Sequence, residues 1–288
     1  MDAPSSAARG VLTGRTWAWA VAAVVCAAAL TVGALTMIPA PEGTISFAPE
    51  PEPEQIDPEQ YAAELLEGLT GEFSFVLYDT ASGEYLLSHN PDEAKQTMSV
   101  VKILIAVGAL ERGADPGRVA EMISRSDDAI ANDLWGMVDR TAVVEEQAAA
   151  MGLRFTTPST DPGRWGDTLM SASDAVRMYE YVLTELPEEA RAVILDAMAQ
   201  TTEFGSDGYD QTFGIPEAAA GLDWAAKQGW GCCKPDRYLL STGTIGSDDR
   251  YIAAIFGTFD ETVVDEAASG AEMTAVAAGL IAFLPEGV

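Results

Sequence analysis

Residues 223–256 read DWAAKQGWGCCKPDRYLLSTGTIGSDDRYIAAIF, and this stretch decides the fold. It holds three runs with strand character, Asp223–Trp230, Arg237–Ile245 and Arg250–Phe256. Short segments rich in turn-forming residues separate them. We therefore predict three strands that follow one another directly in one sheet.

Two further strands are predicted much earlier in the chain. Phe73, Phe75 and Leu77 alternate with smaller or polar residues, which is the period of a strand. The turn at residues 80–83 then leads into a second short run at 84–87. The pattern is that of a β-hairpin.

Helical spacing fills the rest of the folded region. An amphipathic helix begins near Asp57, helices occupy most of residues 99–200, and an apolar helix closes the chain at about 261–283. A polar loop at 155–167 interrupts the middle part. Two strands, a helical middle, three strands and a last helix predict an α/β fold of the α+β kind. Its five-stranded antiparallel sheet is built from both chain ends around a mostly helical insert.

The composition excludes several classes of protein. The 288 residues include 45 acidic and 16 basic side chains, a net charge of -29, which argues against nucleic-acid binding. With 48% hydrophobic residues the chain is globular rather than disordered throughout. One histidine, His89, and three cysteines, Cys26, Cys232 and Cys233, supply neither a zinc site of the usual spacing nor a Ser-His-Asp triad. We expect no metal and no organic cofactor.

The N-terminus carries a candidate membrane segment. Residues 17–38 contain no charge, and 22 residues are enough to cross a bilayer core. Because arginines precede the segment, we predict that residues 1–16 lie in the cytoplasm and that the chain after the segment lies outside it. A secreted protein, cleaved after Ala34, is the alternative. Residues 39–58 are rich in Pro and Glu and predict an extended stalk that leads to a domain at 59–288.

A nucleophilic serine in this chain needs a base other than histidine. Ser99-Val100-Val101-Lys102 offers one, because positions three apart share a helix face. At a helix start the free amides favour an oxyanion, and a buried lysine has a lowered pKa and accepts a proton more readily. The alternative for Lys102 is a lysine that faces solvent.

Two more segments follow in order, Ser126-Asp127-Asp128 in the helical region and Lys227-Gln228-Gly229 at the start of the late strands. With Ser99-x-x-Lys102, these residues resemble the serine beta-lactamase and penicillin-recognising DD-peptidase superfamily, whose elements are Ser-x-x-Lys, Ser-x-Asn and Lys-Thr-Gly. The resemblance covers about residues 60–285 and is strongest to actinobacterial class A beta-lactamase-related serine hydrolases. It implies a beta-lactamase/transpeptidase-like fold.

The resemblance also implies roles for single residues. Ser99 would be the acylated nucleophile, Lys102 its proton partner, and Ser126 a relay to the leaving group that Lys227 steadies. The backbone amides of Ser99 and Trp230 would form the oxyanion hole. The remaining candidates for substrate binding are Asp128, Gln228, Gly229 and Trp230. Alternatively, Ser126 is a helix cap and Lys227 an exposed strand charge.

Several positions depart from the family pattern. Asp128 replaces an asparagine, and its charge is expected to raise the pKa of Lys102 and weaken it as a base. Gln228 replaces a hydroxyl residue that grips the ligand carboxylate. In the loop Arg164-Trp165-Gly166-Asp167, Gly166 stands where the family has its deacylating glutamate, and Met170 stands where it has an asparagine. Asp167 is expected to be a loop or turn residue.

These departures leave two functions open. The first is a membrane-anchored serine hydrolase that forms an acyl-enzyme on Ser99 with a D-alanyl peptide, a beta-lactam or a related amide or ester, and deacylates slowly. The second is a pseudoenzyme that binds cell-wall fragments or a protein partner. Cys232 and Cys233 are expected at the rim of the pocket, and a strained ring between them is a hypothesis. The oligomeric state is not predicted.

Overall fold

The computed structural model describes residues 56–233 and 236–285, without the side chains of Cys232 and Cys233. The expected segments at 1–16 and 17–38, and nearly all of the stalk at 39–58, lie outside these residues. In the described part of the chain, no helix combines the length and the apolar character needed to span a bilayer. The domain boundaries and the membrane segment therefore stay predictions.

A five-stranded antiparallel sheet forms the centre of the domain. In chain order its strands are β1 (Glu72–Asp79), β2 (Glu84–His89), β5 (Trp224–Cys233), β6 (Asp236–Ile245) and β7 (Tyr251–Asp260). Their spatial order is β2-β1-β7-β6-β5, so the strand from the early hairpin pairs with the last strand of the chain. The predicted sheet from both chain ends is confirmed.

Helices lie on both faces of the sheet. The helices of the described residues are α1 (Pro58–Leu66), α2 (Lys102–Glu111), α3 (Pro116–Ser124), α4 (Asp128–Met137), α5 (Thr141–Met151), α6 (Ala172–Thr184), α7 (Glu188–Ala199), α8 (Ile215–Ala218) and α9 (Glu266–Ala282), of which α3, α4 and α5 pack on other helices. Side chains of β1 show the two layers. Phe75 and Leu77 pack in the core that includes α1 and α9, whereas Val76 and Tyr78 pack in the core that includes α2 and α6.

A second sheet was not predicted. Its two antiparallel strands, β3 (Ala94–Gln96) and β4 (Leu169–Ser171), have three residues each, so they are too short to show a strand period in the sequence. The sheet joins the segment before Ser99 to the end of the loop at 155–167. It therefore fixes that loop beside Ser99, and Met170 is fully buried in this small sheet.

Candidate active site

Ser99 lies on a short 3-10 turn, Met98–Val101, that runs directly into α2. Eight of the ten residues of α2 are buried, so the helix passes through the core. Met98 adopts a φ of 46°, a conformation that side chains other than glycine rarely take. Such local strain is common at functional sites, where packing holds the backbone in place.

Lys102 points back along its helix to the serine. Its Nζ lies 3.0 Å from Ser99 Oγ, 3.1 Å from Ser126 Oγ and 2.7 Å from the Ser126 carbonyl oxygen. The Lys102 side chain is fully buried and Ser99 is 5% exposed. The first two sequence elements therefore meet in one hydrogen-bonded group.

Ser126 occupies the turn between α3 and α4 and has a φ of 51°. The cap of α4 is Asp127, whose carboxylate accepts a hydrogen bond from Ile130 N, so Ser126 is not the cap. Its Oγ is also 3.0 Å from Lys227 Nζ on β5. Lys227 is 1% exposed, so the alternative of a solvent-facing strand charge is wrong.

Burial and charge act in opposite directions on Lys102. Its Nζ is 2.6 Å from Asp128 Oδ1, and the Asp128 side chain is 60% exposed while that of Lys102 is wholly buried. Burial lowers the pKa of Lys102 below its ordinary value, and the nearby Asp128 carboxylate offsets only part of this change. Asp128 thus raises the pKa of Lys102 as expected, but desolvation is the larger effect, so the pKa lies below its ordinary value and not above it.

Lys227 is buried beside a second amine. Burial lowers the pKa of Lys227 well below its ordinary value, and the charge of Lys102 lowers it further. The Ser126 hydroxyl lies between the two Nζ atoms and contacts both. A hydroxyl donates one hydrogen bond and accepts two, so it can pass a proton between these amines and a third group.

The other candidates on β5 differ in where they face. A Cβ added to Gly229 would lie 2.9 Å from Thr97 O and 3.3 Å from Ser99 N, so only glycine lets the strand approach Ser99 this closely. Gln228 points to the opposite face of the sheet. It is fully buried and donates a hydrogen bond to Phe213 O. Gln228 therefore does not line the cleft, which corrects its expected place at a ligand carboxylate.

A cleft of about 570 Å³ opens over Ser99 and is lined by Asp128, Trp165, Gly166, Trp230 and residues of neighbouring loops. The two lysines are each covered by an indole. Lys102 Nζ is 4.8 Å from the ring centre of Trp165, and Lys227 Nζ is 5.7 Å from that of Trp230. Both distances fall within the range of cation–π contacts.

Among the lining residues that the sequence analysis missed are three that contact the two indoles. Asn132 accepts a hydrogen bond from Trp165 Nε1 at 2.9 Å, and Asp207 accepts one from Trp230 Nε1 at 2.9 Å. Tyr209 stacks on Trp230 with ring centres 5.0 Å apart. Asn132 follows Asp128 by four residues, so both lie on one face of α4. This spacing could have predicted that Asn132 faces the cleft. Asp207 and Tyr209 lie in an irregular segment without a periodic pattern.

The loop at 162–167 contributes no carboxylate at Gly166. A Cβ there would lie 3.6 Å from Met98 Cα, which is ordinary van der Waals contact. Asp167 forms an ion pair with Arg164, with distances of 2.5 and 3.1 Å. Its carboxylate is therefore engaged within the loop, as expected of a loop residue.

Other candidates fall outside the cleft or outside the described side chains. His89 packs its ring against Phe75 at 5.7 Å between ring centres. The thiols of Cys232 and Cys233 are not described, so the proposed ring between them stays a hypothesis. Within residues 56–233 and 236–285, no group of three or more His, Cys, Asp or Glu residues is arranged to hold a metal ion.

Solved structures identify the fold. The chain has the fold of the serine beta-lactamase and DD-peptidase superfamily. A class A beta-lactamase from Mycobacterium abscessus superposes with a TM-score of 0.64 at 17% identity, over 78% of this chain and 98% of that one. A class A beta-lactamase from Bacteroides cellulosilyticus gives a TM-score of 0.66 at 12% identity, over 78% and 96% of the two chains.

Closer sequence relatives carry a different description. A protein named "Putative lipoprotein LppW", from Mycobacterium tuberculosis and from Mycobacterium bovis, is 39% identical over 196 residues. The match covers 63% of this chain and 62% of the relative, so it spans less than two thirds of the curated protein. No protein-family model matches the chain.

Proposed function

We propose that the chain is a membrane-associated, extracytoplasmic serine hydrolase that forms an acyl-enzyme through Ser99 with a D-alanyl peptide, a beta-lactam or a related amide or ester. One observation carries the proposal. The Lys102 amine lies 3.0 Å from Ser99 Oγ and 3.1 Å from Ser126 Oγ, and Lys227 contacts the same Ser126 hydroxyl. A nucleophile, a base and a proton relay within hydrogen-bond reach are what acyl transfer needs.

The proposed reaction follows the chain of hydrogen bonds. Ser99 Oγ attacks the carbonyl carbon while its proton passes to the Lys102 amine, which burial keeps ready to accept it. The backbone amides of Ser99 and Trp230 stabilise the oxyanion. As the bond to the leaving group breaks, Ser126 Oγ gives that group its proton. Ser126 then regains a proton from Lys102, so the proton from Ser99 ends on the leaving group.

Slow deacylation is part of the same proposal. Hydrolysis of the acyl-enzyme needs a base that activates water, and Gly166 supplies none. Asp167 is the neighbouring carboxylate, and its pairing with Arg164 keeps it occupied. An acyl group on Ser99 would therefore persist.

Membrane association rests on two observations. The uncharged residues 17–38 are long enough to cross a bilayer, and the LppW relatives are named as lipoproteins. We propose that residues 17–38 anchor the chain and that the domain lies outside the cytoplasm, with a secreted, cleaved form as the alternative. The substrate would then be a small molecule or a fragment derived from peptidoglycan.

One contact favours the second function, a pseudoenzyme that binds such fragments without turnover. Asp128 lies 2.6 Å from the Lys102 amine, and its charge favours the protonated form that cannot act as a base. The turned position of Gln228 also removes one group expected at a ligand carboxylate.

A covalent probe separates the two functions. The full chain, a Ser99→Ala variant and a Ser247→Ala control would be incubated with a fluorophosphonate probe and with a fluorescent penicillin. Ser247 is an exposed serine that is not among the residues lining the cleft. We expect labelling of the wild type and the control but not of Ser99→Ala. Absence of labelling by both probes would reject the hydrolase and leave the binding protein.

A further inference from the structure

Residues 201–211, here called the clamp loop, fasten first to the turn that carries Ser126. Ser124 O accepts hydrogen bonds from Thr202 N and Gln211 Nε2, both at 3.0 Å. Arg125 O accepts one from Ser206 N at 2.8 Å. These two carbonyls belong to the residues immediately before Ser126, so the loop and the turn are held as one piece.

The same loop fastens to β5 through Trp230. Asp207 Oδ2 accepts a hydrogen bond from Trp230 Nε1 at 2.9 Å, and the Tyr209 ring stacks on the indole with 9° between the ring planes. Trp230 in turn covers the amine of Lys227. The clamp loop therefore bridges the two elements that supply Ser126 and Lys227.

Asp207 uses both of its carboxylate oxygens. While Oδ2 accepts from the indole, Oδ1 accepts from Tyr209 N at 3.0 Å. An asparagine at this position has one oxygen and would leave one of the two donors facing an amide nitrogen. The geometry thus requires a carboxylate and not only a polar side chain.

Gly205 allows the loop to lie this close to the indole. An added Cβ would come within 2.7 Å of Trp230 Cζ2 and 2.9 Å of Asp207 Oδ1. Both contacts are shorter than van der Waals separation, and the indole is already held by its stacking on Tyr209. A side chain at position 205 would therefore push the loop away from Trp230.

We propose that Asp207 is a positioning residue of the Ser99 reaction: through Trp230 and Tyr209 it ties β5 to the Ser126 turn and so holds Lys227 against Ser126. The proposal rests on the proposed function, because it assigns Asp207 to the proton relay of the acylation step. Asp207 touches none of the reacting atoms. Its effect should appear in the rate of acylation and not in the affinity of the first complex.

The test is a double-mutant cycle on the full chain. Asp207→Asn, Trp230→Phe and the double variant would be reacted with the fluorophosphonate probe, with initial affinity and maximal acylation rate measured separately. The rates would be compared on the pH plateau above the acid limb of each protein, because the Asp207 charge also raises the pKa of Lys102 and of Lys227. Loss of one hydrogen bond corresponds to about a three- to tenfold lower maximal rate for Asp207→Asn. In Trp230→Phe the indole donor is gone, so Asp207→Asn should lower the rate by no more than about twofold there. Equal losses in the two backgrounds would overturn the proposal.

A second pair of variants controls for general loss of stability. Gly205→Ala should lower the maximal rate as Asp207→Asn does, whereas Gly136→Ala should not, because nothing lies within 4 Å of a Cβ at position 136. Thermal unfolding of each variant shows whether the domain is intact. A Gly205→Ala protein that folds and reacts at the wild-type rate would contradict the role of the loop.

A readout without Ser99 chemistry keeps the two proposals distinguishable. Competitive acetylation of lysine amines by acetic anhydride, followed by mass spectrometry, reports how well Lys227 is covered. We expect slow acetylation of Lys227 in the wild type and faster acetylation in Asp207→Asn and Gly205→Ala. If the wild type is not labelled at Ser99, the proposed function fails, and unchanged Lys227 acetylation would independently reject the clamp.

Discussion

Two regions of the cleft differ in what they can contribute to a reaction. The cluster of Ser99, Lys102, Ser126 and Lys227 is buried and connected by hydrogen bonds, whereas the loop at 162–167 presents Gly166 and a carboxylate already paired with an arginine. The first region supplies what acylation needs, and the second lacks what hydrolysis of the acyl-enzyme needs. In the proposed function, the two half-reactions would therefore depend on separate elements of this fold.

Removal of the base should have the largest effect on this comparison. Lys102→Ala is expected to slow labelling of Ser99 by about 10²- to 10⁴-fold, the usual contribution of a general base. Lys95→Ala is the matched control, since Lys95 pairs with Glu93 away from the cleft lining. Stopped-flow or gel-based labelling rates measure both. Comparable rates for Lys102→Ala and the wild type would exclude a catalytic amine.

A carboxylate placed in the loop at 162–167 should supply the base that this region lacks for deacylation. Gly166→Glu is expected to speed release of the acyl group by about 10²-fold, because a base then faces the acyl-enzyme. The backbone tolerates a side chain there, as a Cβ meets Met98 only at van der Waals distance. Gly166→Gln disturbs the loop equally without adding a base, so equal release rates in the two variants would contradict this account.

Removal of the charge on Asp128 should increase the rate of Ser99 acylation. Asp128 holds the pKa of Lys102 higher than burial alone would, so Asp128→Asn should lower that pKa and move the acid limb of the labelling rate to lower pH. The rate at neutral pH should rise several-fold. A pH–rate profile of both proteins measures the change, and a limb displaced to higher pH would contradict the assignment.

Replacement of the buried Lys227 should have the smallest of these effects. The quantity affected is the free energy of unfolding. Its folded-state pKa is lowered, so the unfolded chain binds more protons and the stability gains with rising pH until the pKa of the unfolded state is passed. Lys227→Met is therefore expected to raise the free energy of unfolding by about 1 kcal/mol at pH 7, and the gain should shrink toward pH 10. Urea unfolding at both pH values measures it. A gain that grows with pH would reverse the sign of the argument.

Much of the fold follows from the sequence because its patterns are long. Phe73, Phe75 and Leu77 alternate on β1, and the three late runs became β5, β6 and β7 with ends displaced by a few residues. The strands β3 and β4 have too few residues for any period to appear.

The part of the candidate site that depends on local sequence spacing was predictable. The spacing of Ser99 and Lys102 fixes their contact within one helix turn, so it could be read locally. The pKa of Lys102 depends on how deeply the amine is buried, and the side to which Gln228 points depends on how β5 is oriented in the sheet. Asp207 reaches Trp230 only through tertiary packing, which no local pattern encodes.

The proposed function requires rapid acylation of Ser99 and slow release of the acyl group. The full chain and Ser99→Ala would be mixed with a penicillin, and intact mass would be followed over time after removal of excess drug. The account predicts one adduct per chain, present only when Ser99 is present and persisting for many multiples of the acylation time. Absence of an adduct together with no loss of drug would contradict the acylation half, and rapid drug turnover without accumulation would contradict the deacylation half.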